Sequence, residues 1–256
     1  MPQDDDKPIH VDSVPCIIRE LTYAPPSPQN ITKLLEVALT YHNTSHYHLA
    51  IQSYLTAEER WKDCNRDKKL TADENVFFHI AIGSVHESEG QDELALEEYM
   101  EAEKLMDMME DEHPNHAIVY SSIGGVYVHL SVFDFAMNYF QHALELRLQY
   151  LPSNHVDIGL SYNNVGVCYH CLNKVAESLE YYNKALNILS NTFDSEHPRV
   201  VATRSNLNKV KSKMLQDFTF TIPKFEPIII PVIGKAATKG KKKKKKKGKK
   251  RKKKKK

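Results

Sequence analysis

Cys168 and Cys171, with His170 between them, have the close spacing at which two thiolates and an imidazole can reach one zinc ion. A tetrahedral site needs more donors, and the remaining cysteines, Cys16 and Cys64, form no second pair at a matching gap. Both thiols also lie on one predicted helix, and Val126 and His129 hold the same places 42 residues earlier, so a packing role outweighs metal. His42, His46 and His48 flank a predicted helix turn and could gather an ion, but no nearby carboxylate completes the set. There is no glycine-rich phosphate loop, no G-x-S-x-G turn and no H-E-x-x-H pair. The expectation is a protein without catalytic residues, bound metal or cofactor.

Charge is the other chemistry on offer. The formal net charge of +2 conceals two opposed objects. Residues 235–256 hold 17 of the 35 Lys and Arg and no acid, which leaves 18 basic against 33 acidic side chains in the rest. That run, with Lys241, Lys247, Lys249, Arg251 and Lys256 among its members, repels itself and is expected to be disordered alone. It suits nuclear import, a grip on RNA, DNA or acidic tubulin tails, or plain solvation. Lysine runs read no base sequence, because point charges lack the planar fork of arginine. Residues 87–112 carry twelve acids against Lys104 alone, by default a solvated helix face and a loose, salt-sensitive partner for the lysine run in cis.

Compartment follows from what is missing. Four irregularly spaced cysteines do not make a disulfide framework, which favours a reducing environment. The N-terminus, Met1-Pro2-Gln3-Asp4-Asp5-Asp6, resembles neither a secretory signal nor a transit peptide. No apolar run is long enough to span a bilayer. A cytosolic or nuclear protein is expected.

The elements that must position these groups come from an internal repeat. Tyr120-Ser121-Ser122-Ile123-Gly124-Gly125-Val126-Tyr127 leads to Phe133, Ala136, Phe140 and Ala143. Forty-two residues on, Tyr162-Asn163-Asn164-Val165-Gly166-Val167-Cys168-Tyr169 leads to Val175, Ser178, Tyr182 and Ala185. Markers precede each copy and the next segment: His113-Pro114, Asn154-His155 and His197-Pro198. In His113-Pro114 and His197-Pro198 the proline suits a first helical turn, where its missing N–H is harmless. Two helix-period segments per unit predict a solenoid, since a lone helix pair cannot bury its apolar face. Small residues let helices approach at Gly124, Gly166, Ala136, Ala143 and Ala185, while Tyr127, Phe140, Tyr169 and Tyr182 fill the grooves beside them.

Two earlier units carry the same code, Leu34 to Ala57 and Ile82 to Ala102, the second with its turn at Gly90. The last alanine of each unit, Ala57, Ala102, Ala143 and Ala185, steps by 45, 41 and 42 residues. A more polar final helix with Val201, Leu207 and Val210 has no partner and suits a cap on the open end. The expected organisation is a flexible arm over 1–29 and a solenoid over 30–216, with repeats near 31–64, 75–108, 116–151 and 158–193 and a cap at 199–216. An extended apolar segment follows over 217–234, and then the lysine run over 235–256. Prolines at 2, 8, 15, 25, 26 and 28 exclude a continuous helix in the arm, although Val14-Pro15-Cys16-Ile17-Ile18 could dock on the solenoid. Within 218–233, Pro223, Pro227 and Pro231 do the same to a stretch too apolar to leave in water. It either lies along the solenoid or binds a partner.

This pattern resembles the tetratricopeptide repeat, and the 42-residue period with its His-Pro openings resembles the kinesin light chain subtype. Tyr162-Asn163-Asn164-Val165-Gly166 and Glu196-His197-Pro198-Arg199-Val200-Val201 carry the likeness, which runs over about residues 31–216. The resemblance implies an all-α, right-handed solenoid of about four helix pairs plus a capping helix, serving as a non-enzymatic interaction scaffold. It further implies that the first helix of each pair lines a concave groove holding a partner peptide or helix. Side chains expected to face outward there are Leu35, Leu39 and His42, then Phe77, Ile80 and Ser84. Ile118, Ser121 and His129 follow, then Asn163, Val167 and His170, with Ser205 and Lys209 from the cap. Asn163-Asn164 matches the asparagines with which light-chain-type repeats hold a peptide backbone, although the preceding repeat has Ser121 and Ser122 there. Almost no Lys or Arg lies on the first helices, which argues against capture of a chaperone's terminal carboxylate. Two functions remain: an adaptor, with microtubule-based or ciliary assemblies suggested by the resemblance, or a nucleic-acid-associated factor bound through its lysine run. Neither the partner nor the oligomeric state is encoded legibly.

Overall fold

The computed structural model describes residues 29–64, 72–109 and 116–221. Nine helices occur among them, and no strand: α1 (Gln29–Asn43), α2 (Tyr47–Cys64), α3 (Ala72–Glu89), α4 (Asp92–Asp107), α5 (His116–His129), α6 (Phe133–Tyr150), α7 (Val156–Cys171), α8 (Val175–Thr192) and α9 (Pro198–Thr221). Each packs on the helix before and the helix after it, so the chain stacks as four antiparallel pairs closed by α9. No helix among the described residues is long and apolar enough to cross a membrane. The arm before Gln29, the marker His113-Pro114, the apolar stretch beyond Thr221 and the lysine run with Lys241, Lys247, Lys249, Arg251 and Lys256 lie outside the described residues.

One boundary is corrected. The cap was expected to end at 216 with extended chain from 217, but α9 continues to Thr221. The first helix-breaking proline is Pro223, which restricts only the residue before it, so nothing in 217–221 opposes the helix.

The turn inside each pair is built the same way. Ser45, Gly90, Ser131 and Asn173 all take positive φ, between 59° and 80°. In each turn two backbone bonds close the helix end: Ser131 N–H donates to Val128 O and Val132 N–H to Tyr127 O, while Asn173 N–H donates to His170 O and Lys174 N–H to Tyr169 O. His42 O and Tyr41 O, and Glu87 O and His86 O, are satisfied alike in the first two turns. This is the Schellman arrangement, which satisfies the last helical carbonyls by passing one residue through the left-handed region.

Helix starts are fixed by the marker histidines. His155 Nδ1 accepts from Asp157 N–H at 3.2 Å at the start of α7. His197 Nδ1 accepts from Arg199 N–H at 3.3 Å at the start of α9, with Pro198 as the first helical residue. Each imidazole satisfies one orphan donor of the first turn, the part more often played by Ser or Asp.

The pairs are held by rings laid on small residues. Tyr99 packs over Gly83 and Tyr182 over Gly166, so closely that a Cβ at either glycine would come within 3.0 Å of the ring. In the first pair Ala38 and Tyr54 hold the same places, both fully buried. Burying such a ring is worth about 2–3 kcal/mol, which makes these contacts the anchors of each pair. The two layers are unequal. α5 buries nine of its 14 residues and α7 ten of 16, against seven of 18 in α6 and five of 18 in α8, so the first helices form the inner layer.

Candidate functional site

The inner layer is where the fourteen outward-facing side chains were expected, and the structure corrects that expectation. Leu35, His42, Phe77, Ile80, Ser84, Ser121, Asn163 and Val167 are buried. Leu39, Ile118, His170, Ser205 and Lys209 are half-buried, and His129 alone is exposed. The reason is that successive first helices clasp one another. His42 Nε2 pairs with Ser88 Oγ at 2.8 Å, joining α1 to α3. Asn206 Nδ2 donates to Asn163 Oδ1 at 3.3 Å, joining α9 to α7, and Asn163 Nδ2 donates to Asn164 Oδ1 at 3.3 Å. Asn163, Asn164 and Asn206 are each 2% exposed or less. The amide pair expected to grip a peptide backbone therefore seats the cap instead, and Asn206 stands 42 residues after Asn164.

What remains accessible is a discontinuous strip of Leu39, Ile118, His129, His170, Ser205 and Lys209, to which α3 contributes none of its expected side chains. Beneath the surface of these helices two buried polar atoms have no hydrogen-bond partner among the described residues, Ser121 Oγ and His170 Nδ1. Such atoms are costly to leave unmade, by about 1–3 kcal/mol each. Burial holds the His170 ring below its ordinary pKa, and Lys213 and Lys209 from the cap reinforce the shift. A neutral imidazole can donate from one ring nitrogen and accept at the other. His129 Nδ1 lies 3.2 Å from Asp92 Oδ1 on α4, at the strip's edge.

The cysteine and histidine clusters are accounted for by packing. Cys168 is fully buried among Phe140, Val165 and Ile158, and burial pushes its thiol well up from the ordinary range, away from the thiolate a metal needs. Burial also raises Cys171. His46 Nδ1 pairs with Thr44 Oγ1 at 2.9 Å in the turn after α1, and His48 points to solvent. No three His, Cys, Asp or Glu gather as metal ligands among the described residues.

Two features escape the sequence reading. Arg147 on α6 is 7% exposed and donates to Ser161 Oγ at 2.6 Å and to Ala117 O at 3.3 Å, tying α5, α6 and α7 together. A cavity of about 240 Å³ opens between α4, α5 and α6, lined by Glu103, Tyr120, Asn138, Tyr139 and His142. Both were detectable only by comparing the two copies position by position, beyond the small and bulky residues that define the repeat.

Comparison with known proteins agrees with this architecture. Residues 160–189 match the family described as tetratricopeptide repeat. None of the curated proteins matches the chain. Among solved structures, a putative kinesin light chain with nearly identical TPR-like repeats from Podosopora anserina is similar, with a TM-score of 0.59 and 16% identity over 76% of this chain and 91% of that one. BtubC (BKLC) from P. vanneervenii has a TM-score of 0.58 and 16% identity, covering 86% of this chain and 99% of that one. The apo form of RapI has a TM-score of 0.60 and 18% identity, covering 75% of this chain and 66% of that one. At these identities the likeness shows the fold: a tetratricopeptide-type solenoid of the kind seen in kinesin light chain-like repeats.

Proposed function

We propose that this chain is a non-enzymatic interaction scaffold whose inner strip, from Leu39 to Lys209, holds an extended segment of a partner protein. The observation that carries this reading is the set of side chains on successive first helices that keep some exposure, Ile118 and His129 on α5 and His170 on α7. An extended backbone offers alternate N–H and C=O groups to the two imidazoles, while its side chains meet apolar surface such as Ile118. The lysine run adds attraction to an acidic surface, screened by salt. The fold of kinesin light chain-like repeats supports a microtubule-based or ciliary setting and a cytoplasmic location for this scaffold.

Ile118→Ala with His170→Ala tests the strip, because neither side chain anchors a pair. Partners captured by the full chain in 0.3 M salt are expected to be lost from the double variant at unchanged helical content, with only a small fall in melting temperature from the Ile118 contacts. An identical captured set from both proteins overturns the reading.

A second reading is favoured by the density of charge in 235–256, where 17 of 22 residues are basic. Here the lysine run grips RNA or DNA, possession of the nucleic acid is strongly salt-dependent, and the repeats recruit proteins. Neutralising the run would then abolish nucleic-acid retention while sparing capture through the strip.

A further inference from the structure

The cavity between α4, α5 and α6 has a counterpart one repeat later, and that counterpart already contains a cation. In the fourth pair, Tyr162 and Tyr181 meet edge to face with centroids 5.9 Å apart. Lys184 Nζ sits over both rings, 4.8 Å from the Tyr181 centroid and 5.7 Å from that of Tyr162. Glu180 holds the ammonium at 2.6 Å. An aromatic face is the negative pole of the ring quadrupole, so two tyrosines and a carboxylate form a corner matched to an alkylammonium group.

Forty-two residues earlier the corner is repeated, and no lysine among the described residues lies over its rings. Tyr120 and Tyr139 stand where Tyr162 and Tyr181 do, with centroids 6.1 Å apart. Tyr127 stacks on Tyr139 at 5.7 Å, as Tyr169 packs on Tyr181 at 5.2 Å. His142 occupies the place of Lys184, and Asn138 that of Glu180. His142 lies edge to face against Tyr120 at 5.9 Å and sends no long cationic arm over the rings. The space that Lys184 fills in one repeat is cavity in the other, and its carboxylate comes from Glu103 on α4, which accepts from Tyr139 Oη–H at 3.2 Å. Partial burial raises the Glu103 carboxyl, against the pull of the Tyr139 bond, so a cation is what would best satisfy its charged form.

We propose that this corner, Glu103, Tyr120, Tyr139 and His142, is a binding pocket for the ammonium group of a lysine side chain presented by a partner polypeptide. At about 240 Å³ it is smaller than the pockets that enclose drug-sized molecules, about 300 Å³ and upward, which fits one side chain and not a whole metabolite. The pocket lies between the second and third repeats, and none of the side chains assigned to the inner strip lines it, so it acts in addition to that strip.

The test titrates the full-length chain, carbon-13 labelled in its tyrosine rings, with an acetylated and amidated Gly-Gly-Lys-Gly-Gly peptide. Signals of Tyr120 and Tyr139 are expected to shift saturably. The same peptide with norleucine for lysine should bind at least about tenfold more weakly, the weight of a partly desolvated cation over aromatic rings. Asn138→Glu with His142→Lys rebuilds the fourth repeat's occupied corner inside the third and should abolish the shift, while Glu103→Gln should weaken binding several-fold. In the chain with glutamine at every lysine of 235–256, a tighter midpoint would assign part of the occupancy to the chain's own run, and an unchanged one would assign it to partners alone. Equal affinity for the lysine and norleucine peptides, or wild-type binding by the Asn138→Glu, His142→Lys variant, overturns the proposal.

Discussion

The ring of Phe140 lies on Gly124 so closely that a Cβ there would stand 2.7 Å from both Cδ1 and Cε1. Sixteen residues separate the two, the same interval that separates Gly83 from Tyr99 and Gly166 from Tyr182. One contact, repeated, sets the distance between the two helices of the second, third and fourth pairs, because a glycine permits a closer crossing than any other residue.

Gly124→Ala is therefore expected to destabilise the protein although alanine is the better helix former. Overpacking against a fully enclosed ring costs about 1–3 kcal/mol, and the gain in helix propensity returns about 1. The net loss of up to roughly 2 kcal/mol should lower Tm by up to about 4–8 °C. Phe140→Leu, by making room, should recover part of that loss in the double variant. Thermal unfolding of the three proteins checks the point; a Gly124→Ala protein as stable as wild type would mean the ring yields freely.

The left-handed turn residues predict changes of the opposite sign. Ser45 and Ser131 hold φ near +60° with a Cβ present, a conformation that costs a non-glycine residue about 1 kcal/mol. Ser45→Gly and Ser131→Gly should each stabilise by about 0.5–1 kcal/mol, and Gly90→Ala should cost about as much. Asn173→Gly should gain least, since asparagine tolerates that region. Denaturant midpoints at constant m-value decide it.

The repeat length, the small residues at crossings, the capping helix and the histidine markers at 155 and 197 were legible, because packing at a fixed period leaves a fixed period in the sequence. The turns were legible only at Gly90, since Ser45 and Ser131 carry no mark of a positive φ and must be forced into it by the helices they join. The first helices are more buried than the sequence suggests. A small or polar residue looks alike in sequence whether it lines a groove or a seam, and Ser84, Ser121 and Asn163 turned out to lie in seams. Asn163 is the sharpest case: its value to a peptide and its value to Asn206 rest on the same amide. The open aromatic corner was hidden for another reason. It depends on the replacement of Lys184 by His142 at equivalent places, which matters only once the rings are known to face each other.

Stability should fall as the solution is acidified below neutrality. Burial lowers the pKa of His42 from 6.5, and burial aided by Lys213 and Lys209 lowers that of His170. The unfolded chain then takes up protons near pH 6.5 before the folded one does, so the stability present above that pH is lost progressively as pH drops through 6.5 toward the folded values. Denaturant midpoints at pH 7.5 and 5.5 should differ in that direction, and His42→Gln with His170→Gln should flatten the difference. A slope unchanged in the double variant would place the proton uptake elsewhere.

Arg147 gives the last prediction, because it joins three helices with one guanidinium. Its Nη1 donates to Ser161 Oγ and its Nη2 to Ala117 O, and Ser161 Oγ–H passes the connection on to Asp157 O at 3.0 Å. Lysine has one nitrogen on a flexible stem and cannot meet both acceptors from a single position, so Arg147→Lys should forfeit much of what Arg147→Ala does. The alanine variant also leaves Ala117 O and Ser161 Oγ short of a donor in a dry interior, which puts its cost at about 2–4 kcal/mol. Ser161→Ala should cost about 1 kcal/mol in the wild-type background and much less once Arg147 is alanine, since the same bond cannot be lost twice. A double-mutant cycle on unfolding free energies measures that difference, and additive losses would show that Arg147 and Ser161 stabilise the α6–α7 seam independently.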